Sequence, residues 1–514
     1  MKRVSSEKDA HTRVTRSNII VAMSFVSMIK SSLGPLGSHK IIIDRDNFII
    51  VTRDGRTIFE NIEVVHPIEK LLVTLSKTID EEVGDGTTSV VILTGELLSN
   101  ALKLIDAGLH PSTIVRGYQA AGEKSMELID DLALPVEDTM LKQIAITALN
   151  SKTLDQYKDV FADMIIEALM TTSKKEEDEV IVDHDSVYFE RVQGKSTLET
   201  ELIKGIIVES QVMPPGMPTK IEDAKVLLLD TDITFDDVKK DRYIELNVDD
   251  PSQIEDMHLS TFDFFEEIAE KIVASGANAV FNMKSMDSIG MTYLGKKGVL
   301  ATTNVRGTDL KRISKVTGAK VINDINSLSD RDLGHAERVY QKKLGDFKFI
   351  FMDVEDTATI LIRGGSKQVI DETYRTLNDA LHTTANAIKH KAILPGGGAT
   401  ETYLSQAIKK HALSIKTKKQ LAITAFADAL ETIPMTLAHN SGEDPVSAII
   451  ELRRRHETDG RYHGLDVTKR EIVDMVREGV LEPLIMKKSV IRSASETAQV
   501  ILRADDYIPK KLTD

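Results

Sequence analysis

The sequence predicts a multidomain protein of the α+β class, and three observations support this prediction. The chain has 514 residues, which is more than one hydrophobic core normally serves. Both ends carry apolar residues at helical spacing, whereas the middle alternates short β-branched runs with helical stretches. The order along the chain is therefore helical, mixed, α/β, mixed and helical. Because this order is symmetric, we expect a central domain inserted into a domain that both ends build together.

Composition and charge narrow the classes of function. Hydrophobic residues make up 41% of the chain and charged residues 28%, a balance typical of folded domains with a charged surface. The net charge of −15 argues against general nucleic-acid binding. No secretory signal follows Met1 and no run of about 18 apolar residues occurs, so we expect no membrane partner. The absence of cysteine excludes disulfides and thiolate metal sites and fits a cytoplasmic location.

The N-terminal part of the chain is predicted to be rich in helices. Residues 17–32 carry apolar side chains around much of a helical circumference, which predicts a buried helix ending at the turn Gly34-Pro35-Leu36-Gly37. Residues 41–51 predict a β-hairpin. Residues 67–107 return to helical spacing, with an interruption at Gly84-Asp85-Gly86. Two glycine turns therefore lie next to buried helices.

The middle of the chain is predicted to hold a small α/β domain. Strand-like runs between residues 187 and 229 are followed by a regular alternation of helix and strand. The helices are expected at 263–274, 287–296 and 310–317, and the strands at 279–281, 299–301 and 320–321. From residue 371 to the end the pattern is mostly helical again.

The segment Gly84-Asp85-Gly86-Thr87-Thr88-Ser89 carries the strongest chemical signal, because it directly precedes an apolar helix. Glycines let the backbone approach a ligand closely, and the N–H groups at a helix start favour an anion. Three hydroxyl groups add donors, and an aspartate can hold Mg²⁺ against phosphate oxygens. A glycine-rich helix start can also be a simple cap, so the segment needs companions to predict a phosphate site.

Similar turns recur in both helical ends of the chain. They are Leu33-Gly34-Pro35-Leu36-Gly37, Thr52-Arg53-Asp54-Gly55 and Pro395-Gly396-Gly397-Gly398. Each alone is an ordinary turn sequence, but together with the segment at 84–89 they favour a nucleotide site. A complete P-loop and a GxGxxG fingerprint are both absent, so this site is of neither common type. The HExxH and GxSxG motifs of zinc proteases and serine hydrolases are absent as well.

Taken together, these segments resemble the group II chaperonins, the protein-folding rings of the archaeal thermosome and eukaryotic cytosolic type. The similarity is most specific over residues 82–89 and 94–98 and runs through the chain in order. The other matching segments are Leu33-Gly34-Pro35-Leu36-Gly37, Thr52-Arg53-Asp54-Gly55, Pro215-Gly216-Met217-Pro218, Ser275-Gly276-Ala277-Asn278, Leu361-Ile362-Arg363-Gly364-Gly365, Asn378-Asp379-Ala380, Pro395-Gly396-Gly397-Gly398 and Gly479-Val480-Leu481-Glu482-Pro483.

The resemblance implies a multidomain α+β chaperonin fold with three kinds of domain. A mostly α-helical equatorial domain is expected from residues 1–144 and 392–514. A small mixed intermediate domain is expected from residues 145–206 and 355–391. An α/β apical domain that binds substrate is expected from residues 207–354.

In this family a helical protrusion of the apical domain serves as a lid, and its counterpart is expected at about residues 249–271. This stretch includes Phe262, Phe264 and Phe265. These side chains are either substrate contacts of the protrusion or ordinary core residues.

The resemblance also implies roles for individual residues. Asp54 and Asp379 match the carboxylates that position and activate the attacking water, and Asp85 matches the Mg²⁺ ligand. The expected ATP-binding residues are Leu33, Gly34 and Pro35, which line the site; Asp85, Gly86, Thr87, Thr88 and Ser89 at the phosphates; Lys152 as a sensor of the γ-phosphate; Gly397 near the ribose; and Glu482 on the ribose hydroxyls.

Two arginines depart from the family pattern. Arg53 stands where the family usually has asparagine, and Arg56 where it has alanine. Two extra cations near Asp54 are expected to hold phosphate more tightly or to slow its release.

The implied function is that of a chaperonin ATPase, in which ATP hydrolysis with Mg²⁺ drives a double ring that encloses and folds non-native proteins. The implied partners are other chaperonin subunits, identical or different, in rings of about eight or nine. The alternative is a divergent subunit with slow ATPase that acts as a holdase or in ring assembly. Retention of Asp54, Asp85 and Asp379 favours the first function, because an inactive scaffold does not need a water-orienting carboxylate. For a small-molecule kinase the sequence offers no acceptor pocket.

Overall fold

The computed structural model describes residues 2–43, 49–149, 157–176, 179–212, 216–234, 251–458 and 460–504. The chain divides into two compact units. The first unit combines both ends of the chain, as Met1–Glu167, Glu176–Val182 and Asp371–Asp514. The second unit is the inserted middle, as Ala168–Lys175 and Asp183–Ile370.

Helices dominate both ends of the chain. In chain order the helices are α1 (Lys2–Ile29), α2 (Gly55–Asn61), α3 (Pro67–Val83), α4 (Thr87–Asp106), α5 (Pro111–Asp130), α6 (Asp138–Leu149), α7 (Lys158–Thr171), α8 (Pro251–Ala274), α9 (Ser288–Lys296), α10 (Gly307–Thr317), α11 (Lys367–His390), α12 (Ala399–Ala412), α13 (Lys419–Leu430), α14 (Thr432–Ser441), α15 (Pro445–Thr458) and α16 (Leu484–Arg503).

Strands are concentrated in the middle of the chain. In chain order they are β1 (Lys40–Ile43), β2 (Ile49–Thr52), β3 (Leu134–Pro135), β4 (Ser173–Glu176), β5 (Glu179–Val182), β6 (Val187–Gln193), β7 (Glu201–Lys204), β8 (Ile206–Val208), β9 (Lys220–Leu229), β10 (Ala279–Asn282), β11 (Leu300–Thr302), β12 (Val321–Ile322), β13 (Gly334–Leu344), β14 (Phe347–Asp353), β15 (Ala358–Gly364), β16 (Ala392–Pro395), β17 (His463–Asp466), β18 (Glu471–Asp474) and β19 (Leu481–Pro483).

The core of the first unit is formed by apolar faces of α1, α3, α4, α5, α13 and α16, which come from both ends of the chain. Buried aromatic rings fix some of these contacts: Phe25 stacks on Phe59, and Tyr118 meets Phe426 edge to face. The Tyr118 hydroxyl donates a hydrogen bond to the backbone oxygen of Leu97 (2.6 Å), so its polar end is satisfied inside the core. The two ends of the chain therefore stabilise each other by shared burial of apolar surface.

Two helical stretches of this core are long and apolar enough to cross a membrane, Thr87–Asp106 and Lys419–Ser441. In these stretches 61% and 67% of the apolar window is buried inside the structure. A helix that is apolar around most of its circumference belongs either in a membrane or in the centre of a large core. Because α4 packs against α5, α13 and α16, and α13 packs against α4 and α5, the core accounts for their composition.

The break between α3 and α4 follows from local sequence. Helix α3 begins at a capping box, in which His66 accepts from the Ile68 N–H and Glu69 accepts from the His66 N–H, and Pro67 occupies the first turn. It ends at Gly84, whose φ of +72° is a left-handed conformation that favours glycine. Helix α4 restarts only three residues later, so a short glycine-flanked loop with Asp85 at its centre joins two buried helices.

A small sheet in the first unit brings distant turns together. Strand β16 pairs antiparallel with both β19 and β3, and Leu394 lies opposite Glu482. The Gly396 N–H donates to the Val480 oxygen (2.9 Å), which extends this pairing into the glycine turn after β16. The sheet thus places Glu482 beside the turn at Gly396–Gly398, although almost 90 residues separate them in sequence.

The second unit contains the predicted alternation of helix and strand. Strands β9, β10, β11 and β12 are parallel where they pair, and β13, β14 and β8 extend the same sheet with antiparallel pairs. A separate three-stranded sheet has the order β6-β15-β7. The predicted helices and strands of this region are confirmed with shifts of a few residues at their ends; the largest shift is in α8, which begins at Pro251 instead of residue 263. An open sheet covered by α8, α9 and α10 is the arrangement expected for a βα alternation.

Two of the phenylalanines in α8 belong to the core of the second unit. Phe264 and Phe265 are both buried and their rings meet at 5.4 Å, whereas Phe262 is partly exposed. Of the two interpretations of these residues, core packing therefore applies to Phe264 and Phe265. Residues 249–250 of the expected protrusion lie outside the described part of the chain.

One buried carboxylate ties three helices of the first unit together. Glu431, between α13 and α14, accepts hydrogen bonds from Ser405 (2.9 Å), Lys409 (3.1 Å) and Arg453 (2.9 Å). Burial by itself would raise the pKa of Glu431, but the bonds from Arg453 and Lys409 outweigh burial and lower that pKa. A carboxylate with so many charged partners contributes to stability only while it is ionised.

We expect Glu431→Gln to lower the free energy of unfolding by about 1–3 kcal/mol at neutral pH, because bonds to a charged acceptor are lost. The lowered pKa means that the native carboxylate stabilises the fold above its ordinary pKa of 4.5 and loses this effect as the pH falls through its folded value. The difference between the two proteins should therefore shrink in acid. Urea unfolding followed by circular dichroism at pH 7 and at pH values below 4.5 measures both effects.

The matched control is Glu457→Gln, which removes an exposed carboxylate that pairs with Lys410 on the same group of helices. This change should leave the urea midpoint nearly unchanged. Equal destabilisation by the two substitutions would show that the buried network has no special role.

Candidate functional site

One cavity of the first unit collects residues from well-separated parts of the sequence. Its lining consists of Ser32, Leu33, Gly34, Pro35, Arg53, Asp54, Gly55, Asp85, Gly86, Thr87, Thr88, Ser89, Thr147, Ala148, Asp379, Thr383, Leu481, Glu482 and Met486. A second cavity shares part of this lining and extends it to Gly397, Gly398, Leu465 and Lys487. The structure thus brings together every site residue predicted from the sequence except Lys152, which lies outside the described residues.

The start of α4 presents backbone donors to the cavity. Gly86 is the N-cap residue, has a φ of +87° and provides no side-chain cap. The first N–H groups of an α-helix have no intrahelical partner, so those of Thr87, Thr88 and Ser89 are available to an anion. The carboxylate of Asp85 lies beside them and accepts from the Gly86 N–H (2.6 Å). This end of the cavity has the donors and the carboxylate that a phosphate with a metal ion requires.

Gly55 allows the loop after β2 to touch the start of α4. A Cβ atom at Gly55 would lie 2.6 Å from the Thr88 hydroxyl oxygen and 2.7 Å from the Thr87 hydroxyl oxygen. Any other residue at this position would therefore push the two segments apart. Because Gly55 follows Asp54 directly, this close contact places Asp54 at the end of the cavity formed by the start of α4.

Asp54 also has a structural function as the N-cap of α2. Its carboxylate accepts from the backbone N–H groups of Arg56 (3.3 Å) and Thr57 (2.8 Å) and from the Thr57 hydroxyl (2.6 Å). Its own N–H donates to the Thr52 hydroxyl (3.1 Å). These bonds fix the orientation of the carboxylate, and Asp54 is part of the cavity lining.

Helix α11 contributes Asp379 and Thr383, which are one helical turn apart. The Thr383 hydroxyl oxygen is buried and has no hydrogen-bond partner among the described residues. The helix is held against the end of α3, because the Asn386 amide donates to the Val83 oxygen (3.0 Å). A Cβ atom at Gly84 would lie 2.3 Å from the Cβ of His382, so the helix and the glycine loop are in direct contact. This packing sets the position of Asp379 relative to the loop at Asp85.

A cluster of three largely buried charged side chains lies where the two cavities share the lining residue Glu482. The Lys487 ammonium is 2.8 Å from Oε2 of Glu482 and 2.6 Å from Oε1 of Glu401. Burial raises the pKa of Glu482, and the charges of Glu401 and Asp85 raise it further, against the attraction of Lys487. Burial opposes the charge on Lys487, but the two glutamates outweigh it and raise the pKa of Lys487. Lys487 and Glu401 were not among the predicted site residues.

The two unusual arginines both have protein partners in the structure, and Arg53 is also part of the cavity lining. Arg53 is only 3% exposed and donates to the backbone oxygens of Pro35 (2.6 Å) and Gly37 (3.0 Å). Burial lowers the pKa of Arg53 to about 9, although Glu372 acts in the opposite direction, and the group is still charged at neutral pH. Its nitrogens Nε and Nη2 are buried without a hydrogen-bond partner in the described structure. Arg53 therefore anchors the glycine turn that lines the cavity.

Arg56 is engaged on the outer side of α2. It forms ion pairs with Glu60 (3.1 Å) and with Asp80. Burial opposes its charge, but these two carboxylates raise the pKa of Arg56. Burial raises the pKa of Asp80, with a further contribution from the charges of Asp54 and Asp85, while Arg56 lowers it. Both arginines thus have protein partners, and the expectation that they hold phosphate more tightly or slow its release stays a prediction.

Some lining residues were not predicted from the sequence. Thr383 could have been found, because it follows Asp379 by four residues and so lies on the same helical face. Thr147 accepts from the Leu481 N–H (3.3 Å) and joins α6 to β19, a contact that no local pattern signals. Lys487 and Glu401 lie on different helices, and only the fold brings them together.

The carboxylates can hold a metal only in combination with other ligands. Among the described residues no group of three or more histidine and carboxylate side chains is arranged for metal binding. Mg²⁺ commonly binds through one or two carboxylates together with phosphate oxygens and water. The single Asp85 beside unpaired backbone donors fits this mode.

Comparison with known proteins identifies the family. A sequence model of the TCP-1/cpn60 chaperonin family matches residues 25–511. The chain belongs to this chaperonin family. A thermosome subunit of Methanopyrus kandleri is 38% identical over 499 residues, which cover 96% of this chain and 91% of the relative. Thermosome subunit beta of Archaeoglobus fulgidus is 39% identical over 502 residues, which cover 96% of this chain and 92% of the relative.

A third relative, thermosome subunit alpha of Aeropyrum pernix, is 40% identical over 503 residues, which cover 96% of this chain and 90% of the relative. The predicted resemblance is therefore confirmed: the chain is a group II chaperonin subunit and acts as a chaperone. Membership in this family implies ATPase activity in general and the use of a nucleotide with Mg²⁺. The structure adds the arrangement of this chaperonin's own residues around the cavity.

Because Arg53 anchors the glycine turn in this chaperonin, its removal is predicted to lower the local stability of that turn. We expect Arg53→Met to increase amide hydrogen exchange at Gly37 and Ser38 by about 10-fold to 100-fold, because the turn loses two bonds from a charged donor. Hydrogen exchange of the purified chain followed by mass spectrometry measures this change. Arg56→Met is the matched control and should leave exchange at the turn unchanged. Equal exchange in the wild-type chain and Arg53→Met would contradict the anchoring role.

Proposed function

We propose that this chaperonin subunit binds ATP with Mg²⁺ in the cavity of the first unit and hydrolyses it to drive the enclosure and folding of non-native polypeptides. The observation that carries this proposal is the convergence of Asp54, Asp85 and Asp379 at the start of α4. These aspartates come from three separate segments of the chain, and only the fold brings them together. Phosphoryl transfer needs positioned charge and an oriented water, and this convergence supplies residues for both.

The phosphates are proposed to bind at the N-terminus of α4. The N–H groups and hydroxyls of Thr87, Thr88 and Ser89 would donate to phosphate oxygens, and the positive end of the helix dipole would stabilise their charge. Asp85 would hold Mg²⁺, which neutralises charge on the phosphate oxygens when it is bound. The absence of a side-chain cap at Gly86 supports this assignment, because the N-cap residue does not occupy these donors.

Asp54 and Asp379 are proposed to position and activate the attacking water. The hydrogen bonds to the α2 backbone hold the Asp54 carboxylate in place, so it can orient a water without first being ordered. Asp379 would accept the proton of this water from the α11 side of the cavity. The unpaired hydroxyl of Thr383, one turn further along α11, is a suitable donor to the same water or to the γ-phosphate. Lys152 is proposed to sense the γ-phosphate, in agreement with the resemblance.

The nucleoside end is proposed to bind where the second cavity continues. Leu33, Gly34 and Pro35 would pack against the nucleotide, and Gly397 would lie near the ribose. Glu482 would accept hydrogen bonds from the ribose hydroxyls. The pairing of β16 with β19 supports this assignment, because it sets Glu482 beside the glycine turn.

Coupling between hydrolysis and movement is proposed to run through α11. The first residues of this helix, up to Ile370, belong to the second unit, and the rest belong to the first unit. A change in the position of α11 would move Asp379, so catalysis would depend on the conformation of the chain. This is a gating role for the helix and needs no additional chemistry.

The remaining features are proposed by analogy with the family. The first unit would contain the equatorial domain and the second the apical domain, with intermediate segments between them and a lid protrusion near residues 249–271. The subunit would assemble with identical or different chaperonin subunits into a cytoplasmic double ring. The relatives include subunits named alpha and beta from Archaeoglobus fulgidus, so that organism has more than one kind of subunit.

The catalytic assignment predicts that Asp54→Asn and Asp379→Asn each reduce steady-state ATP hydrolysis by about 100-fold or more, because the water loses its orienting carboxylate. ATP binding should persist, because neither residue is assigned to the phosphates or the base. Phosphate release by the purified oligomer and equilibrium binding of ATP with Mg²⁺ measure the two effects.

Asp371→Asn is the matched control, because Asp371 lies on the same helix two turns before Asp379 and does not line the cavity. It should retain wild-type hydrolysis. If the wild-type chain and Asp379→Asn hydrolyse ATP at the same background rate, the proposed mechanism is wrong.

A folding assay separates the foldase from a holdase or assembly subunit. We expect a chemically denatured model substrate to regain activity with the wild-type oligomer and ATP, and to remain bound and inactive with Asp379→Asn. Recovery of substrate activity and light scattering by aggregates measure folding and holding separately. Suppressed aggregation without ATP-dependent recovery in the wild-type chain would instead favour the holdase function.

A further inference from the structure

The cluster of Glu401, Lys487 and Glu482 is the most unusual electrostatic feature of the first unit. The side chains of Glu401 and Lys487 are each 5% exposed, and that of Glu482 is 23% exposed. Two carboxylates therefore share one ammonium group in a nearly water-free environment. Glu401 belongs to the first turn of α12, Glu482 to β19, and Lys487 to the first turn of α16.

Such a cluster is poorly explained as a device for stability. Removing charges from water is costly, and a buried ion pair is often no more stabilising than apolar side chains of similar size. Oε2 of Glu401 and Oε2 of Glu482 are both buried without a hydrogen-bond partner in the described part of the chain, so Glu482 meets Lys487 as an ion pair and the cluster is not fully satisfied. A cost of this kind is expected where the charges serve binding or catalysis.

The geometry shows which member of the cluster can meet a ligand. Glu482 lines both cavities, whereas Lys487 lines only the second cavity. The Lys487 ammonium contacts Oε2 of Glu482. This contact leaves the other carboxylate oxygen as an acceptor for a group in the cavity.

We infer that Lys487, which Glu482 shares with Glu401, is a positioning residue that orients Glu482 as an anionic acceptor for the ribose hydroxyls and thereby gives the site its selectivity for ribonucleotides. This inference rests on the proposed function, because it requires a nucleotide in the cavity. Lys487 acts through Glu482 and does not touch the reacting phosphate.

Electrostatics supports the need for the lysine. Burial and the charges of Glu401 and Asp85 all raise the pKa of Glu482. Only the nearby ammonium group of Lys487 acts in the opposite direction. Without the ammonium group, Glu482 would tend to bind a proton and would lose acceptor strength toward a hydroxyl. Its carboxyl group would also lose the contact that fixes its orientation.

The test compares nucleotides that differ only in one ribose hydroxyl. The probes are ADP, 2′-deoxy-ADP and 3′-deoxy-ADP with Mg²⁺, because these are not hydrolysed during the measurement. Isothermal titration calorimetry of the purified full chain gives the dissociation constant for each. We expect the wild-type chain to prefer ADP over at least one deoxy analogue by about 10-fold to 100-fold, the range for a hydrogen bond to a charged acceptor.

The selectivity ratio is the dissociation constant of the deoxy analogue divided by that of ADP. Substitutions within the cluster are expected to shift this ratio in different directions. Lys487→Met and Glu482→Gln should bring the ratio close to one, mainly by weakening ADP. Glu401→Gln should keep or increase the ratio, because Lys487 then pairs with Glu482 alone. Lys488→Met is the matched control, since Lys488 follows Lys487 but pairs with Asp130 (2.5 Å), and should leave the ratio unchanged.

A purely structural role would give a different result. If Lys487→Met weakens ADP and both deoxy analogues equally, so that the ratio stays at its wild-type value, the inference is overturned. If Lys487→Met does not fold, the double variant Glu401→Gln with Lys487→Met leaves one buried carboxylate and is measured in the same way. A wild-type chain that binds none of the three probes contradicts the proposed function itself, whereas binding without any preference for ADP contradicts only the role of the cluster.

Discussion

The backbone N–H groups at the start of α4, which have no partner within the helix itself, are the constraint around which the first unit is arranged. A helix start buried in a large core must have its donors satisfied, yet Gly86 offers no side chain to do so. The surrounding elements leave this end open to a cavity and surround it with Asp54, Asp85 and Asp379. The core of helices from both ends of the chain keeps α4 fixed, so the donors stay directed at one place. The helix that the core packing holds in place is therefore the same helix whose N-terminus presents its donors to the cavity.

Much of this arrangement could be predicted from the sequence because its signals are local. The run at residues 84–89 combines glycines, hydroxyls and an aspartate directly before an apolar helix, and each feature acts within one turn of backbone. The symmetric order of helical and mixed regions predicted an inserted middle, since burial patterns follow the local period of each element. The roles of Asp379 and Glu482 came only from the family resemblance, because nothing near them in sequence indicates a cavity.

The features that could not be predicted depend on the directions of side chains. Arg53 follows a β-strand next to Asp54, so sequence position suggested a cation at the phosphates, whereas the fold turns it toward the oxygens of Pro35 and Gly37. Phe264 and Phe265 looked equally suitable for a lid or for a core until the sheet beneath α8 was seen. The contact of Lys487 with Glu401 joins two residues that are 86 positions apart in sequence. Long-range contacts of this kind leave no trace in local periodicity.

The face of α11 that meets the glycine loop has a mechanical consequence. Asp379, His382, Thr383 and Asn386 are spaced three and four residues apart, so they form one stripe along the helix. Two of them line the cavity and two grip the end of α3. Rotation of α11 as a rigid body would move all four side chains together, because they lie on the same helix. Withdrawal of Asp379 by such a rotation would therefore also break the hydrogen bond from Asn386 to Val83 and the contact of His382 with Gly84.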